Sequence, residues 1–150
     1  MKALLVAEYR DGQLLNPTYE QVEAGGVGIS KTEVIVSSRR GIDKPDNLEI
    51  IKKHAMALGA EHGASRPVVD TEWFGHNRQI STTGQTVSPK LYDACGISGA
   101  IQHLAGMKKS DFIIAVNTDK NDPISELADV LIVADLKQFV PMLTEKLSSL

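Results

Sequence analysis

The sequence predicts an α/β fold with a doubly wound, mostly parallel sheet and helices on both faces. In the second half of the chain, apolar runs alternate with segments of helical spacing, as βαβ units require. The polar and glycine-rich loops follow predicted strands, so they gather at the carboxyl edge of a parallel sheet, where ligands bind. Hydrophobic residues make up 42% of the 150 positions, which is enough for one domain with its own core.

The chain begins with a short predicted appendage. Residues 2–7 are an apolar run that predicts a strand, and residues 14–15 predict a short return strand after an Asp-Gly turn. Residues 24–30 are rich in glycine and predict a linker. We therefore expect an N-terminal strand or hairpin and linker at residues 1–30, and the main domain at residues 31–150.

Two strands and a helix are predicted at the start of the main domain. Residues 33–37 form an apolar run that predicts a strand. Residues 47–58 predict a helix, because their apolar residues recur at helical spacing and Gly59 can end it. A short strand is predicted at residues 61–65. Residues 66–89 are rich in Thr, Ser and Gly, and an irregular segment of this length is typical of a functional or disordered loop.

The second half of the chain alternates strands and helices. Residues 91–95 predict a buried strand, which leads into a helix over residues 98–106 with Ser98 at its N-cap. Asp135 can cap the last predicted helix in the same way. The remaining predicted elements are strands over residues 111–116 and 130–134, and helices over residues 123–128 and 136–147.

Charge and composition argue against several classes of protein. The formal net charge is −3 and no basic stripe is present, which makes nucleic acid a poor candidate partner. No apolar run approaches the ~20 residues that span a bilayer, so no membrane span is predicted. The one cysteine, Cys95, cannot form an internal disulfide, which fits a reducing compartment and predicts a cytoplasmic location. No metal-ligand spacing joins it to His54, His62 or His76, and His54 is expected on the surface of its helix.

Two catalytic motifs fit the sequence poorly. Residues 96–100 resemble a nucleophile elbow, but Ala100 replaces its second glycine and the one later histidine, His103, lies on the same predicted helix. Residues 25–32 resemble a P-loop, but they lead into a predicted strand, whereas a P-loop opens a helix. Neither a hydrolase nor a nucleotide-hydrolysing site is therefore favoured.

The corner after residue 95 is the strongest candidate site. Gly96 and Gly99 flank Ser98 at the predicted helix start, where free backbone N–H groups and the positive end of a helix dipole face one crevice. His103 lies further along the same helix and can add a proton or a hydrogen bond. This arrangement suits an anion, or a ring that becomes anionic when it is reduced.

Three segments together resemble one known family. They read GISGAIQHLAGM at residues 96–107, TGQTVSPKLY at residues 83–92 and AVNTDKNDPI at residues 115–124. In this order and spacing they strongly resemble the FAD-binding domain of the alpha subunit of electron transfer flavoproteins, and the similarity runs over residues 33–147. The resemblance implies a fold of the DHS-like FAD/NAD-binding type and FAD as the cofactor.

The resemblance implies that one group of residues faces the flavin ring. Arg40 corresponds to an arginine over the ring, and Thr83 to a threonine near flavin N5, the atom that gains a proton or hydrogen on reduction. The pyrimidine side of the ring faces Ser98, Gln102 and His103. A guanidinium and a helix start both favour negative charge, so these groups would stabilise the reduced ring.

A second group corresponds to the phosphate and adenine end of the cofactor. Arg66 matches a residue that neutralises the pyrophosphate, Asn117 and Asp119 match residues at the ribose or adenine, and Asp135 matches an aspartate beside the adenine. The complete set of predicted cofactor-binding residues is Arg40, Gly41, Arg66, Ser81, Thr82, Thr83, Gly84, Gly96, Ser98, Gly99, Gln102, His103, Asn117, Asp119, Asp135 and Leu136.

The chain departs from the family pattern at several of these loops. Ser38 and Arg39 replace two glycines, where side chains can crowd a close backbone approach. Gln85 and Thr118 replace lysines, and Thr82 also differs from the pattern. These substitutions keep an alternative open, namely a non-redox module that binds an adenine nucleotide or contacts a partner protein.

The resemblance implies an electron carrier and not a catalyst with its own substrate. Such a carrier passes electrons between dehydrogenases and an acceptor. Its candidate partners are a beta-type subunit, a dehydrogenase donor and a second copy of the chain. The family's alpha chain carries a further α/β domain before this one, and we interpret residues 1–20 as resembling the first strand of that domain.

Overall fold

A computed structural model describes residues 29–39, 47–69 and 76–149 of the chain. Its strands are β1 (Val34–Ser38), β2 (Glu61–Ala64), β3 (Leu91–Cys95), β4 (Phe112–Asn117) and β5 (Val130–Val133). They form one parallel sheet in the order β2-β1-β3-β4-β5. Each matches a predicted strand to within about one residue at either end. The predicted N-terminal strand and hairpin lie outside the described residues, as do Arg40 and Gly41.

The helices are α1 (Leu48–Leu58), α2 (Arg66–Val69), α3 (Ile101–Met107), α4 (Ile124–Leu127) and α5 (Leu136–Ser148). Helix α2 corrects the prediction that residues 66–89 are irregular, because a single helical turn is too short to show an apolar periodicity in the sequence; the other four were predicted. Gly59 ends α1 in the left-handed conformation, with φ of 63°, as its sequence position predicts. Asp135 caps α5 by accepting a hydrogen bond from the Lys137 backbone N–H at 2.9 Å, which confirms its predicted capping role.

Helices cover both faces of the sheet, which confirms the predicted doubly wound fold. On one face, Ile51 of α1 and Val140 of α5 lie in a core cluster with apolar side chains of the strands. On the other face, Met107 of α3 and Ile124 of α4 lie in a second cluster. Ile29 belongs to this second cluster and is only 2% exposed, so packing against the sheet already begins within the predicted linker.

The strand order creates a crevice between β1 and β3. The chain leaves β1 toward β2 on one side, and from β3 it proceeds through β4 to β5 on the other side. The loops that follow β1 and β3 therefore diverge at the carboxyl edge of the sheet. Open parallel sheets bind ligands at such a switch point.

A polar cluster lies inside the first core, where the sequence predicted only apolar contacts. His54 is 0% exposed, so the prediction that it lies on the surface of α1 is wrong. Its Nε2 atom lies 2.7 Å from Asp93 Oδ2 on β3, and its Nδ1 atom lies 3.1 Å from Thr144 Oγ1 on α5. Because α5 packs over this face of α1, the ring faces protein and not water.

Hydrogen bonds connect the members of this cluster. The Thr144 hydroxyl donates its single proton to the Val140 carbonyl at 2.8 Å, so it accepts from His54 Nδ1. On the other side of the ring, His54 Nε2 is within hydrogen-bond distance of Asp93 Oδ2, at 2.7 Å. The Cys95 thiol also donates to Asp93 Oδ1, at 3.6 Å. The cluster links α1, β3 and α5, and its His54, Asp93 and Cys95 members are buried while Thr144 is partly exposed.

Candidate functional site

A cavity of about 370 Å³ opens at the switch point between β1 and β3. Its walls come from the ends of β1 and β2, from the segment before β3, and from the corner between β3 and α3. The size falls in the range that ligand sites commonly occupy. Its lining residues are Arg39, Ser65, Arg66, Pro67, Ile80, Ser81, Thr83, Ile97, Ser98, Gly99, Ala100, Gln102 and His103.

The cavity brings together about half of the residues that the sequence singled out. Those in its lining are Arg66, Ser81, Thr83, Ser98, Gly99, Gln102 and His103. These residues come from separate parts of the chain, after β2, before β3 and after β3. Thr83 and His103 therefore share one crevice, as the sequence analysis required. Arg40, which was expected beside them, lies outside the described residues.

The corner after β3 differs from the prediction in one respect. Helix α3 begins at Ile101, and its N-cap is Ala100, which makes no side-chain capping bond. The prediction that Ser98 is the N-cap is therefore wrong. The reason is Gly99, whose φ of 96° is incompatible with a helical turn. Ser98 instead accepts a hydrogen bond from the Ile124 backbone N–H at 3.0 Å, through its own carbonyl.

His103 lies at the base of the cavity and is only 4% exposed. Its Nε2 atom lies 2.7 Å from the Tyr92 hydroxyl, and its Nδ1 atom has no hydrogen-bond partner among the described residues. Burial lowers the pKa of His103 to about 4, against the opposing effect of the Ile80 backbone carbonyl, and the positive charge of Arg39 lowers it further. His103 is therefore neutral at pH 7 and acts through a hydrogen bond.

This pKa predicts how stability depends on pH. The unfolded chain protonates His103 near its ordinary pKa of 6.5, whereas the folded chain does so only near 4. The free energy of unfolding is therefore highest above pH 6.5 and falls, by up to about 1.4 kcal/mol per pH unit, as the pH drops toward 4. Urea unfolding at several pH values between these limits gives the free energy of unfolding as a function of pH. We expect this free energy to depend less steeply on pH in His103→Gln than in the unchanged protein. Burial also lowers the pKa of His62, so some dependence of the unfolding free energy on pH remains in both proteins. An equal dependence on pH in the two proteins would contradict the lowered pKa of His103.

A tight turn before β3 packs against α3 and forms a further part of the cavity wall. The Ser81 hydroxyl accepts from the backbone N–H groups of Gly84 at 2.8 Å and Thr83 at 3.2 Å. The Thr82 N–H donates to the Gln102 carbonyl at 3.1 Å, which joins the turn to α3. A Cβ atom on Gly84 would lie 2.4 Å from a backbone oxygen, so only glycine fits there. Ser81, Thr82 and Gly84 thus hold Thr83 at the cavity.

Two cavity residues, Arg39 and Ser65, were missed from the sequence. Arg39 follows β1 directly. From the sequence, its side chain was expected to crowd a close approach of the backbone to the cofactor, and the contact with the flavin ring was assigned to Arg40. Ser65 follows β2, and its hydroxyl is buried at 4% exposure with no hydrogen-bond partner among the described residues. The position of both residues could have indicated them. Each is the first residue after a strand, and the carboxyl ends of parallel strands lie at the same edge of the sheet, where ligands bind.

The predicted adenine-end residues lie beyond the cavity lining. The Asn117 side chain donates to the Ile97 carbonyl at 3.1 Å and to Asp122 at 2.8 Å, and it accepts from the Asp119 N–H at 2.9 Å. These contacts join the loop after β4 to the loop after β3. Gly96, Asp135 and Leu136 are likewise absent from the lining, and Leu136 is packed in the first core cluster. Their contacts with a ligand stay predictions.

Residues 29–39, 47–69 and 76–149 also bear on two other kinds of site. No group of three His, Cys, Asp or Glu side chains in these ranges is placed to hold a metal ion. Within the same ranges, no helix combines the length and the apolar character needed to cross a membrane.

Comparison with known proteins identifies the family. A model of the electron transfer flavoprotein FAD-binding domain matches residues 28–108, more than half of the chain. Electron transfer flavoprotein subunit alpha of Thermoanaerobacterium thermosaccharolyticum is 49% identical over 124 residues, which cover 83% of this chain and 38% of that protein. Protein FixB of Bradyrhizobium diazoefficiens is 47% identical over 116 residues, 77% of this chain and 31% of that protein.

A third relative gives the same picture. Electron transfer flavoprotein subunit alpha of Bacillus subtilis is 45% identical over 127 residues, which cover 85% of this chain. The chain spans between 31% and 39% of the length of these three relatives. The match to the family model agrees with the observed fold. The description of that family names FAD, the cofactor that the sequence predicts. This chain belongs to the electron transfer flavoprotein FAD-binding domain family.

Proposed function

We propose that the chain binds FAD with the flavin ring in the cavity between β1 and β3, and that it serves as an electron carrier. The observation that carries this proposal is the cavity itself. It lies at the switch point of the sheet, and its lining combines two arginines with polar side chains such as Thr83 and Gln102 and with apolar ones.

The chemistry of the lining fits an anionic, partly aromatic cofactor. Arg39 and Arg66 contribute positive charge, and none of the lining side chains in the described part of the chain is acidic. Ile80 and Ile97 are buried apolar residues in the same lining, which suits the flat face of a ring. Thr83, Ser98 and Gln102 add polar side chains to the same lining, which suits a cofactor with polar groups around its ring.

The proposed roles of the residues are binding, orientation and electrostatics. FAD supplies the redox chemistry when it is bound. Thr83 and His103 offer a hydroxyl and an imidazole at the cavity, while Arg39 and Arg66 favour added negative charge. No residue is required to abstract a proton from a separate substrate, so we propose a carrier and not an enzyme.

The partners are also proposals, since the chain covers only part of its relatives. A dehydrogenase donor, an electron acceptor and a beta-type subunit fit the proposed role, and self-association stays a candidate. A cytoplasmic location stays a prediction from the single cysteine. The predicted division of the chain at residue 30 also remains a proposal.

Titration with FAD, followed by visible absorption, tests the proposed function. We expect the protein as purified to be yellow, or to take up FAD when it is added. Arg39→Gln should weaken FAD binding by about tenfold. This change corresponds to about 1.4 kcal/mol, which is typical of one charge-assisted hydrogen bond. Lys90→Gln is the matched control, since Lys90 precedes β3 at the opposite edge of the sheet, where it pairs with Glu33 at 3.3 Å.

Two outcomes would overturn the proposal. A colourless protein that takes up no FAD is not a flavin carrier. Strong competition by AMP together with absent flavin absorbance would favour the alternative, a non-redox adenine-nucleotide module.

A further inference from the structure

The Ser81 hydroxyl lies at the centre of the turn that carries Thr83. Ser81 is only 4% exposed and lines the cavity together with Thr83. Its Oγ atom accepts from the Gly84 N–H at 2.8 Å, from the Gln79 side-chain amide at 2.9 Å and from the Thr83 N–H at 3.2 Å. One further polar atom, Thr83 Oγ1, lies 3.3 Å from Ser81 Oγ. Ser81 is therefore surrounded by N–H donors and by one other hydroxyl.

These donors decide the direction of the hydrogen bond between the two hydroxyls. A hydroxyl oxygen has two lone pairs and one proton. The lone pairs of Ser81 Oγ already face N–H groups of Gly84, Gln79 and Thr83, so they do not accept a further proton from the Thr83 hydroxyl. The proton of a buried hydroxyl needs an acceptor, because no water replaces it. Thr83 Oγ1 is the acceptor within reach, so Ser81 donates to Thr83.

The Thr83 hydroxyl is left with a proton of its own. Thr83 is an exposed residue of the cavity lining, in contrast to the buried Ser81. Because Thr83 Oγ1 accepts from Ser81, its own proton is available to a group in the cavity. Accepting a hydrogen bond also polarises a hydroxyl and makes it a stronger donor. Thr83 therefore offers a donor to a molecule that occupies the cavity.

We propose that Ser81 is a positioning residue: its hydroxyl donates to Thr83 Oγ1 and so directs the Thr83 hydroxyl to act as a hydrogen-bond donor toward the cavity. The ligand atom that meets Thr83 is then an acceptor, a carbonyl oxygen or an unprotonated ring nitrogen. The inference rests on the proposed function in naming this ligand as FAD. A donor at this position favours forms of the ring whose facing atom has a lone pair over forms in which that atom carries a proton.

Neutron diffraction from crystals of the FAD-free protein in heavy water tests the two proton positions directly. We expect the hydroxyl deuterium of Ser81 to lie between Ser81 Oγ and Thr83 Oγ1, and that of Thr83 to point away from Ser81. A Thr83 deuterium directed at Ser81 Oγ, or a Ser81 deuterium directed at any other atom, overturns the inference whether or not the protein binds FAD.

A double-mutant cycle on FAD affinity gives a second readout. Thr83→Val replaces the hydroxyl with a methyl group, and we expect it to weaken FAD binding by about tenfold, as the loss of one hydrogen bond does. Ser81→Ala should weaken binding by about fivefold. If Ser81 acts through Thr83, adding Ser81→Ala to Thr83→Val has no further effect. An equal loss from Ser81→Ala in both backgrounds means that Ser81 only shapes the turn, and overturns the inference.

Ser110→Ala is the matched control. Its hydroxyl also forms a hydrogen bond within the protein, to the Met107 carbonyl at 2.6 Å, but Ser110 follows the end of α3 and lies outside the cavity lining. We expect Ser110→Ala to lose a little stability and to keep its affinity for FAD. A loss of affinity as large as that of Ser81→Ala would assign both effects to general destabilisation and contradict the role of Ser81.

The two readouts separate failure of this inference from failure of the proposed function. A protein that takes up no FAD contradicts the carrier, while neutron diffraction still decides which hydroxyl donates. A protein that binds FAD with the same affinity in Ser81→Ala keeps the carrier and removes the role of Ser81.

Discussion

Asp93→Ala is expected to lower the free energy of unfolding by about 1–3 kcal/mol, the usual cost of leaving a buried hydrogen-bonding group without its partner. The carboxylate lies 2.7 Å from His54 Nε2, and both side chains are almost completely buried. Its loss leaves the His54 donor facing an apolar core with no water to replace the partner. The same change also removes the acceptor of the Cys95 thiol.

Urea unfolding of three variants measures this effect. Asp93→Ala should lower the midpoint with little change in the slope against urea concentration. The double variant His54→Leu with Asp93→Leu should recover most of the lost stability, because apolar side chains that fill a similar volume replace buried pairs at little cost. Asp111→Ala is the control, an exposed aspartate for which we expect a change within about 0.5 kcal/mol. A loss below about 1 kcal/mol for Asp93→Ala would show that the pair contributes little.

Gly99→Ala is expected to cost about 2 to 5 kcal/mol and to close part of the cavity. The φ of 96° at Gly99 strains any residue that carries a Cβ atom. The added Cβ would also lie 2.6 Å from the Ile124 backbone nitrogen, and backbone atoms cannot move away as a flexible side chain can. Relief requires α4 to shift, which breaks the bond between the Ile124 N–H and the Ser98 carbonyl.

Unfolding and FAD titration together separate the two consequences. Gly59→Ala is the matched control, because Gly59 also has a positive φ, of 63°, but ends α1 at the amino edge of the sheet. We expect both variants to lose stability and only Gly99→Ala to lose FAD affinity, by at least about tenfold. Equal FAD affinities in the two variants would mean that Gly99 shapes the fold and not the site.

The strands were predictable because their signal is local. Buried parallel strands are apolar on both faces, so runs such as residues 91–95 stand out from the polar loops around them. The ends of α1 and α5 were predictable for the same reason, since Gly59 and Asp135 act on the backbone of their own helix. The site was partly predictable, because the loops after parallel strands must share an edge.

The errors arose where distant residues decide the outcome. His54 was assigned to the surface because helical spacing does not show that α5 covers α1 or that β3 supplies a carboxylate. Asp93 was a usable warning, since a charge within an otherwise apolar strand requires a partner. The start of α3 was misplaced because the conformation of Gly99 depends on its packing against Ile124.

Local sequence was therefore sufficient for the α/β architecture, the family and the loops that form the cavity, because periodicity, glycines and family motifs are carried by neighbouring residues. Tertiary packing alone placed His54 beside Asp93. It also brought the Tyr92 hydroxyl to His103 Nε2. These contacts join residues that are distant in sequence, and their burial decides which polar groups are withdrawn from water.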